Sequence, residues 1–92
     1  MNKLPINCPS CEKPLVVSQL TCSGCETQIS GSYLLPILLQ LPADDQDFVF
    51  EFVVSSGSLK KMATSMGKSY PTVRNRLDDV IDRINQLVKS QS

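Results

Sequence analysis

Apolar residues in the C-terminal half of the chain recur at helical spacing, and cap and turn residues divide them into three groups. Phe48, Val49, Phe52 and Val53 form the first stripe, the pattern of a helix with one buried side. Acids at Asp44 and Asp45 suit the positive end of a helix dipole, so this helix is expected to begin between Pro42 and Asp45. Gly57 supplies its stop. Leu59, Met62, Ala63 and Met66 form a second stripe, with Ser58 before it as an N-cap and Gly67 after it as a terminator. A third helix is expected after Ser69, with Pro71 in its first turn, where a missing N–H removes no hydrogen bond.

The third stripe holds Val73, Leu77, Val80, Ile81, Ile84, Leu87 and Val88. The steps from 73 through 77, 80 and 84 to 87 alternate four and three, which is a heptad seam. A helix of about 20 residues is about 30 Å long, more than a three-helix domain of this size needs to cover. Two uses of its C-terminal half are open: Val80, Ile84 and Leu87 pair with a second copy as a homodimer seam, or the same half packs on the preceding segments.

The N-terminal half is patterned differently. Residues 15–17 and 27–30 are candidate strands, and Ser23-Gly24 is a turn signal between them. Residues 33–41, YLLPILLQL, form an apolar connector broken by Pro36. A strand is expected to run on from Ser32 to Leu35, with a short helical turn after Pro36, and the leucines are expected to join the two halves. The organisation predicted is residues 1–32, the connector 33–41, and a helical domain over 42–92.

The chain has 92 residues, 41% of them hydrophobic and 20% charged, the composition of a globular protein. A piece of about 35 residues rarely holds itself together without a staple. The N-terminal section supplies one: Cys8-Pro9-Ser10-Cys11, ten intervening residues, then Cys22-Ser23-Gly24-Cys25. Two residues between cysteines let both sulfurs of a tight turn reach one metal, and two such turns offer a tetrahedron of thiolates at about 2.3 Å, the geometry zinc prefers. With all four positions filled by cysteine the site is closed, so one Zn²⁺ would be structural; iron is the rival metal. Met1 to Asn7 lacks the apolar stretch of a secretory signal, and the connector is too short to span a bilayer. The expected place is the cytoplasm, with no membrane partner, where thiols stay reduced and disulfides are disfavoured. A redox Cys-x-x-Cys is disfavoured by the two matched pairs and the lack of a βαβ pattern.

Formal net charge is zero, but its distribution is uneven. Residues 42–57 hold Asp44, Asp45, Asp47 and Glu51 and no base; residues 58–76 hold Lys60, Lys61, Lys68, Arg74 and Arg76 and no acid. Such asymmetry makes an electropositive face on a neutral protein. Residues 59–77 also meet the demands of a helix-turn-helix: Ala63 is small where two helices cross, Gly67 is free to take positive φ, and Met62, Met66, Val73 and Leu77 supply a shared core. The second helix of such a unit lies in the DNA major groove. The alternative is a helical hairpin with a solvated basic face.

The paired CPSC and CSGC resemble a zinc ribbon over residues 6–32. Lys3 and Lys13 are offset there by Glu12 and Glu26, and four thiolates with Zn²⁺ add a formal negative charge, so the ribbon is expected to brace the fold or dock a protein partner rather than grip phosphate. Residues 59–77, LKKMATSMGKSYPTVRNRL, resemble the promoter-binding helix-turn-helix of bacterial sigma factors (their region four) and of response-regulator output domains. The match lies at Ala63, Met66, Gly67, Ser69, Thr72, Val73, Arg76 and Leu77. Lys68 departs from it, standing where an apolar residue is usual. The resemblance implies that Tyr70, Arg74 and Asn75 face DNA bases, and that Lys68, Ser69, Thr72 and Arg76 meet phosphates.

The whole-chain order resembles a small bacterial family of unknown function that joins a zinc ribbon to a sigma-like helix-turn-helix. The fold expected is small α+β: short antiparallel strands, then a three-helix domain with a long C-terminal helix. The function expected is a DNA-binding transcriptional regulator; the alternative is a zinc-ribbon adaptor for a protein partner. An enzyme is not expected. Histidine is absent, the cysteines serve the metal, and no Gly-rich phosphate loop is present. Asp78, Asp79 and Asp82 fit the solvated side of a charged helix.

Overall fold

The computed structural model describes residues 4–91. Residues 1–3, Lys3 among them, and residue 92 lie outside the described range. Two strands, β1 (Val17–Thr21) and β2 (Gln28–Tyr33), precede a 3-10 turn (Ile37–Gln40) and three helices, α1 (Ala43–Val54), α2 (Leu59–Met66) and α3 (Tyr70–Gln91). No helix among the described residues is long and apolar enough to cross a membrane.

The strands pair antiparallel, with Leu20 opposite Ile29, Thr21 opposite Gln28, and an irregularity between Val17 and Gln19. Both start later than the candidate strands at 15–17 and 27–30. The cause is local: each cysteine loop closes on itself before its strand begins. The Leu15 N–H donates to the Ile6 carbonyl at 2.8 Å, and Asn7 bridges Pro14, so residue 15 belongs to the first loop. The Thr27 carbonyl accepts from the Cys22 N–H at 2.8 Å, which assigns residue 27 to the second. The connector keeps its expected turn after Pro36, but its strand stops two residues short of Leu35. The strand runs to Tyr33 and Pro36 opens the 3-10 turn. Its leucines divide: Leu35 and Leu41 are buried, whereas Leu34, Leu38 and Leu39 are exposed.

The helical core gathers Leu41, Phe48, Leu59, Met62, Ala63, Val73 and Val80, with Val49, Phe52, Leu77, Ile84 and Leu87 packed around it. The Ser58 side chain accepts the Lys61 N–H at 3.2 Å and caps α2. Gly67, at φ 66°, ends that helix, and the Lys68 N–H returns to the Ala63 carbonyl at 3.0 Å, satisfying a terminal acceptor. Four members of the predicted stripes fall outside the core, Ile81 and Val88 on α3 among them. Val53 is 68% exposed, because one residue turns a helix by about 100° and the buried side runs through Asp45, Phe48 and Phe52. Met66 is 40% exposed; it ends α2, and the glycine that follows has no side chain to cover it.

The heptad seam is used within the chain. Val80 is 1% exposed, and Ile84 and Leu87 pack on the same core, while α3 lies against the 3-10 turn. Of the two uses left open for this half, the dimer seam is corrected at Val80, which packs within the chain on the side of α3 covered by the connector and its fully buried Leu41.

A polar tie fastens α1 to α3. Asp45 is fully buried, and Arg83 Nη1 donates to its two carboxylate oxygens at 2.9 and 2.8 Å. Arg76 Nη2 adds a third contact at 2.6 Å. A buried carboxylate without such partners would be strongly disfavoured. The hairpin stands off this assembly: the radius of gyration is 16.3 Å, against about 12 Å for a compact chain of this length.

Candidate metal centre and nucleic-acid interface

The two cysteine loops share one bonding pattern. In the first, the Cys8 N–H donates to the Lys13 carbonyl (2.9 Å) and the Glu12 N–H to the Cys8 carbonyl (2.8 Å). In the second, Cys22 donates to Thr27 (2.8 Å) and Glu26 to Cys22 (3.0 Å). Each first sulfur faces a backbone N–H two residues on, from Ser10 at 3.4 Å and from Gly24 at 3.3 Å. The residue after each second cysteine takes positive φ, 63° at Glu12 and 64° at Glu26, which turns the chain tightly past the sulfurs.

These contacts favour thiolates. Hydrogen bonds from the Cys11 and Ser10 backbone hold the Cys8 thiol below its ordinary pKa. The Thr27 hydroxyl, 2.9 Å from Cys25 Sγ, and then the Thr27 backbone do the same for Cys25. A thiolate is the form that ligates metal. All four cysteines are free thiols, two on each loop. No three Cys, Asp or Glu side chains among the described residues cluster closely enough to hold one ion, so the structure sets the thiols as two pairs. The donor chemistry fits zinc: soft sulfur ligands, two of them biased toward thiolate, on two Cys-x-x-Cys turns joined by a hairpin.

The second site surrounds the turn between α2 and α3. Val73 is fully buried and anchors the first turns of α3, which leaves Lys68, Ser69, Tyr70, Thr72, Arg74 and Asn75 exposed. Ser69 accepts the Thr72 N–H at 3.4 Å and bonds the Thr72 hydroxyl at 2.8 Å, so these hydroxyls serve the N-cap. Arg74 lies 3.4 Å from Asp78 one turn on, both half exposed. Arg76 is the departure from expectation. It reaches Asp44 at 3.2 Å and Asp45 at 2.6 Å, with its guanidinium 5.8 Å from the Phe48 ring centroid. It is held against α1 rather than offered to phosphate. Sequence reasoning missed this tie. Its one signal is that Arg76 and Arg83 stand a heptad apart and so share a side of α3; that side's facing Asp45 on α1 has no local signature.

Two family matches cover most of the chain. The family described as "DUF2089 zinc ribbon" matches residues 8–38, and that described as "Domain of unknown function (DUF2089)-HTH" matches residues 41–87. No curated protein and no solved structure matches the chain. The first match contains both cysteine loops and the hairpin, and the second contains the connector's last leucine, the three-helix core and the exposed turn of α3. The chain belongs to the DUF2089 family, with an N-terminal zinc ribbon joined to a C-terminal helix-turn-helix domain.

Proposed function

We propose that this protein is a cytoplasmic DNA-binding transcriptional regulator, not an enzyme, with one structural Zn²⁺ held by Cys8, Cys11, Cys22 and Cys25. The observation that carries the reading is the opening of α3. Buried Val73 fixes its orientation, and Lys68, Tyr70, Arg74 and Asn75 are exposed on the outer side, Arg74 in a half-exposed surface pair with Asp78. Arg74 and Asn75 suit bidentate contacts with guanine and adenine edges. Lys68, with Lys60 and Lys61 on α2, supplies cations for phosphates. Zinc, when bound, joins the two thiol pairs and stabilises the hairpin; the chain's N–H groups and Thr27 hydroxyl hold the sulfurs ready for it.

The test is selection of binding sites from genomic fragments by the zinc-loaded protein across a salt series, with Arg74→Ala/Asn75→Ala as comparison. Enrichment of a defined site, lost in the variant at a cost of about 1–3 kcal/mol per base contact, supports direct readout. Salt-sensitive binding without sequence preference reduces the interaction to phosphate attraction. Absence of DNA binding moves the reading to a protein adaptor. One observation favours that second reading: Leu20 and Ile29 face one another across the hairpin and are 56% and 54% exposed, an apolar pair more than half open to solvent.

A further inference from the structure

The first two helices enclose a groove that shares only Lys61 with the DNA reading. Its floor is apolar, with Phe48 from α1 and Met62 and Met66 from α2, and Arg76 of α3 closes one end, paired with Asp44. Two adjoining cavities run along it, of about 240 and 260 Å³, and Glu51, Met62 and Met66 line both. The α1 lip is acidic. Asp44, Asp47 and Glu51 follow the three–four spacing that puts residues on one side of a helix. Asp44 is engaged with Arg76, but Asp47 and Glu51 make no ion pair among the described residues. Beyond the lip, Phe50 and Val54 are 64% and 63% exposed, so the apolar surface continues past the carboxylates. Lys61 is the one base on the α2 side.

From this surface we infer a docking site for a basic amphipathic helix of a partner protein. A helix laid in the groove sets its apolar side against Met66, Val54 and Phe50, over the buried Phe48 and Met62; Met66 is a flexible thioether suited to adaptable packing. Its lysines or arginines meet Asp47 and Glu51. The charge excludes nucleic acid and anionic lipid as occupants, since phosphates would lie against carboxylates. It also excludes a second copy of this chain. The basic helix available is α2, and its apolar residues Leu59, Met62 and Ala63 are buried in its own core. α3 is well supplied with acids, at Asp78, Asp79 and Asp82. The groove lies on α1 and α2 with Arg76 of α3 at one end, apart from Arg74 and Asn75, so the inference stands whether or not those two residues read DNA.

The experiment uses the full zinc-loaded chain with ¹³C-labelled methionine methyls. The probe is a short synthetic amphipathic helix of leucines and lysines, with a second peptide carrying glutamate in place of every lysine. The lysine peptide is expected to shift the Met62 and Met66 methyl signals saturably, and the glutamate peptide to leave them in place. Asp47→Lys/Glu51→Lys is expected to weaken lysine-peptide binding about tenfold, and the milder Asp47→Asn/Glu51→Gln by less, which guards against a variant that fails to fold. The inference is overturned if the lysine peptide leaves both methyls unmoved, if the two peptides act alike, or if the charge variants bind as the parent does. It is equally overturned if the protein self-associates through Phe50 and Val54, which Phe50→Ser would reveal as a change in mass on a sizing column.

Discussion

The hairpin and the helical domain reach order by opposite means. In the helical domain Leu41 and Val73 are fully buried and five more apolar side chains pack with them. In the hairpin every β2 residue is exposed, and β1 buries none beyond a half-covered Val17. A two-stranded hairpin is marginal in water, and this one has little apolar area to offset its lost conformational freedom. What it has instead is polar: backbone bonds closing each cysteine loop, N–H groups aimed at sulfur, and a donor set suited to one soft metal ion. Each half therefore depends on a different interaction, and changes that remove one kind should leave the other half standing.

The largest effect is expected from the metal. Binding free energies of about 10–16 kcal/mol are typical where zinc supplies a small module's fold. Chelation, or Cys22→Ser, is therefore expected to erase the slow amide exchange of residues 17–33 and leave that of α2 and α3 nearly unchanged. Loss of the helical amides at the same chelator concentration would break the comparison, since it would make the core dependent on the ribbon. The reciprocal change is Leu41→Ala. Its side chain is fully buried where the connector meets α3, and removing it should destabilise the helical domain by about 2–5 kcal/mol. Urea unfolding followed by helical circular dichroism measures this, and zinc affinity is expected to stay unchanged.

A smaller loss is expected from Asp45→Asn. Removing one partner of a buried pair commonly costs about 3–5 kcal/mol. Here the two guanidiniums left behind retain water, with side chains 27% and 44% exposed, so about 2 kcal/mol is the expected size. The same substitution loosens Arg76 from α1 toward the outer face of α3. Non-specific DNA affinity should then rise and its salt slope steepen by less than one phosphate contact. A stability loss with no change in the salt slope would show that Arg76 stays on Asp44.

The helices were legible because their signals are local. Ser58, Gly67 and Ser69 mark boundaries through backbone chemistry that acts within a few residues, and the 73-77-80-84-87 seam marks a buried side. The cysteine loops were legible for the same reason. What the seam packs against was not, because Leu41 and a second copy present the same apolar chemistry to it. Nor was the fate of Arg76: its partner Asp45 lies thirty-one positions earlier, and that carboxylate reads as a helix-start acid until the tertiary fold brings two arginines to it. The strand starts were missed because β-propensity at residues 15 and 27 competes with backbone bonds that only a closed loop reveals. In the candidate interface, the sequence placed Arg74, Asn75 and Lys68 on the exposed side of the turn and Arg76 with them, and the tie to α1 separates it from that group.

The smallest effects sharpen the contrast at single backbone positions. Gly67 and Glu26 hold nearly the same φ, 66° and 64°, one in each half, and only one of them is a glycine. At Gly67 an added Cβ meets nothing within 4 Å, so Gly67→Ala isolates the left-handed strain and should destabilise the helical domain by about 1 kcal/mol. Glu26→Gly should act with the opposite sign on the hairpin, by a few tenths of a kcal/mol, because glycine's freedom in the unfolded chain offsets most of the strain it relieves. Urea midpoints at constant slope read the first change, and competition for zinc against a chelator reads the second. Weaker zinc binding by Glu26→Gly would mean that the turn depends on restricting the chain beside Cys25, and that the ribbon is organised before the metal arrives.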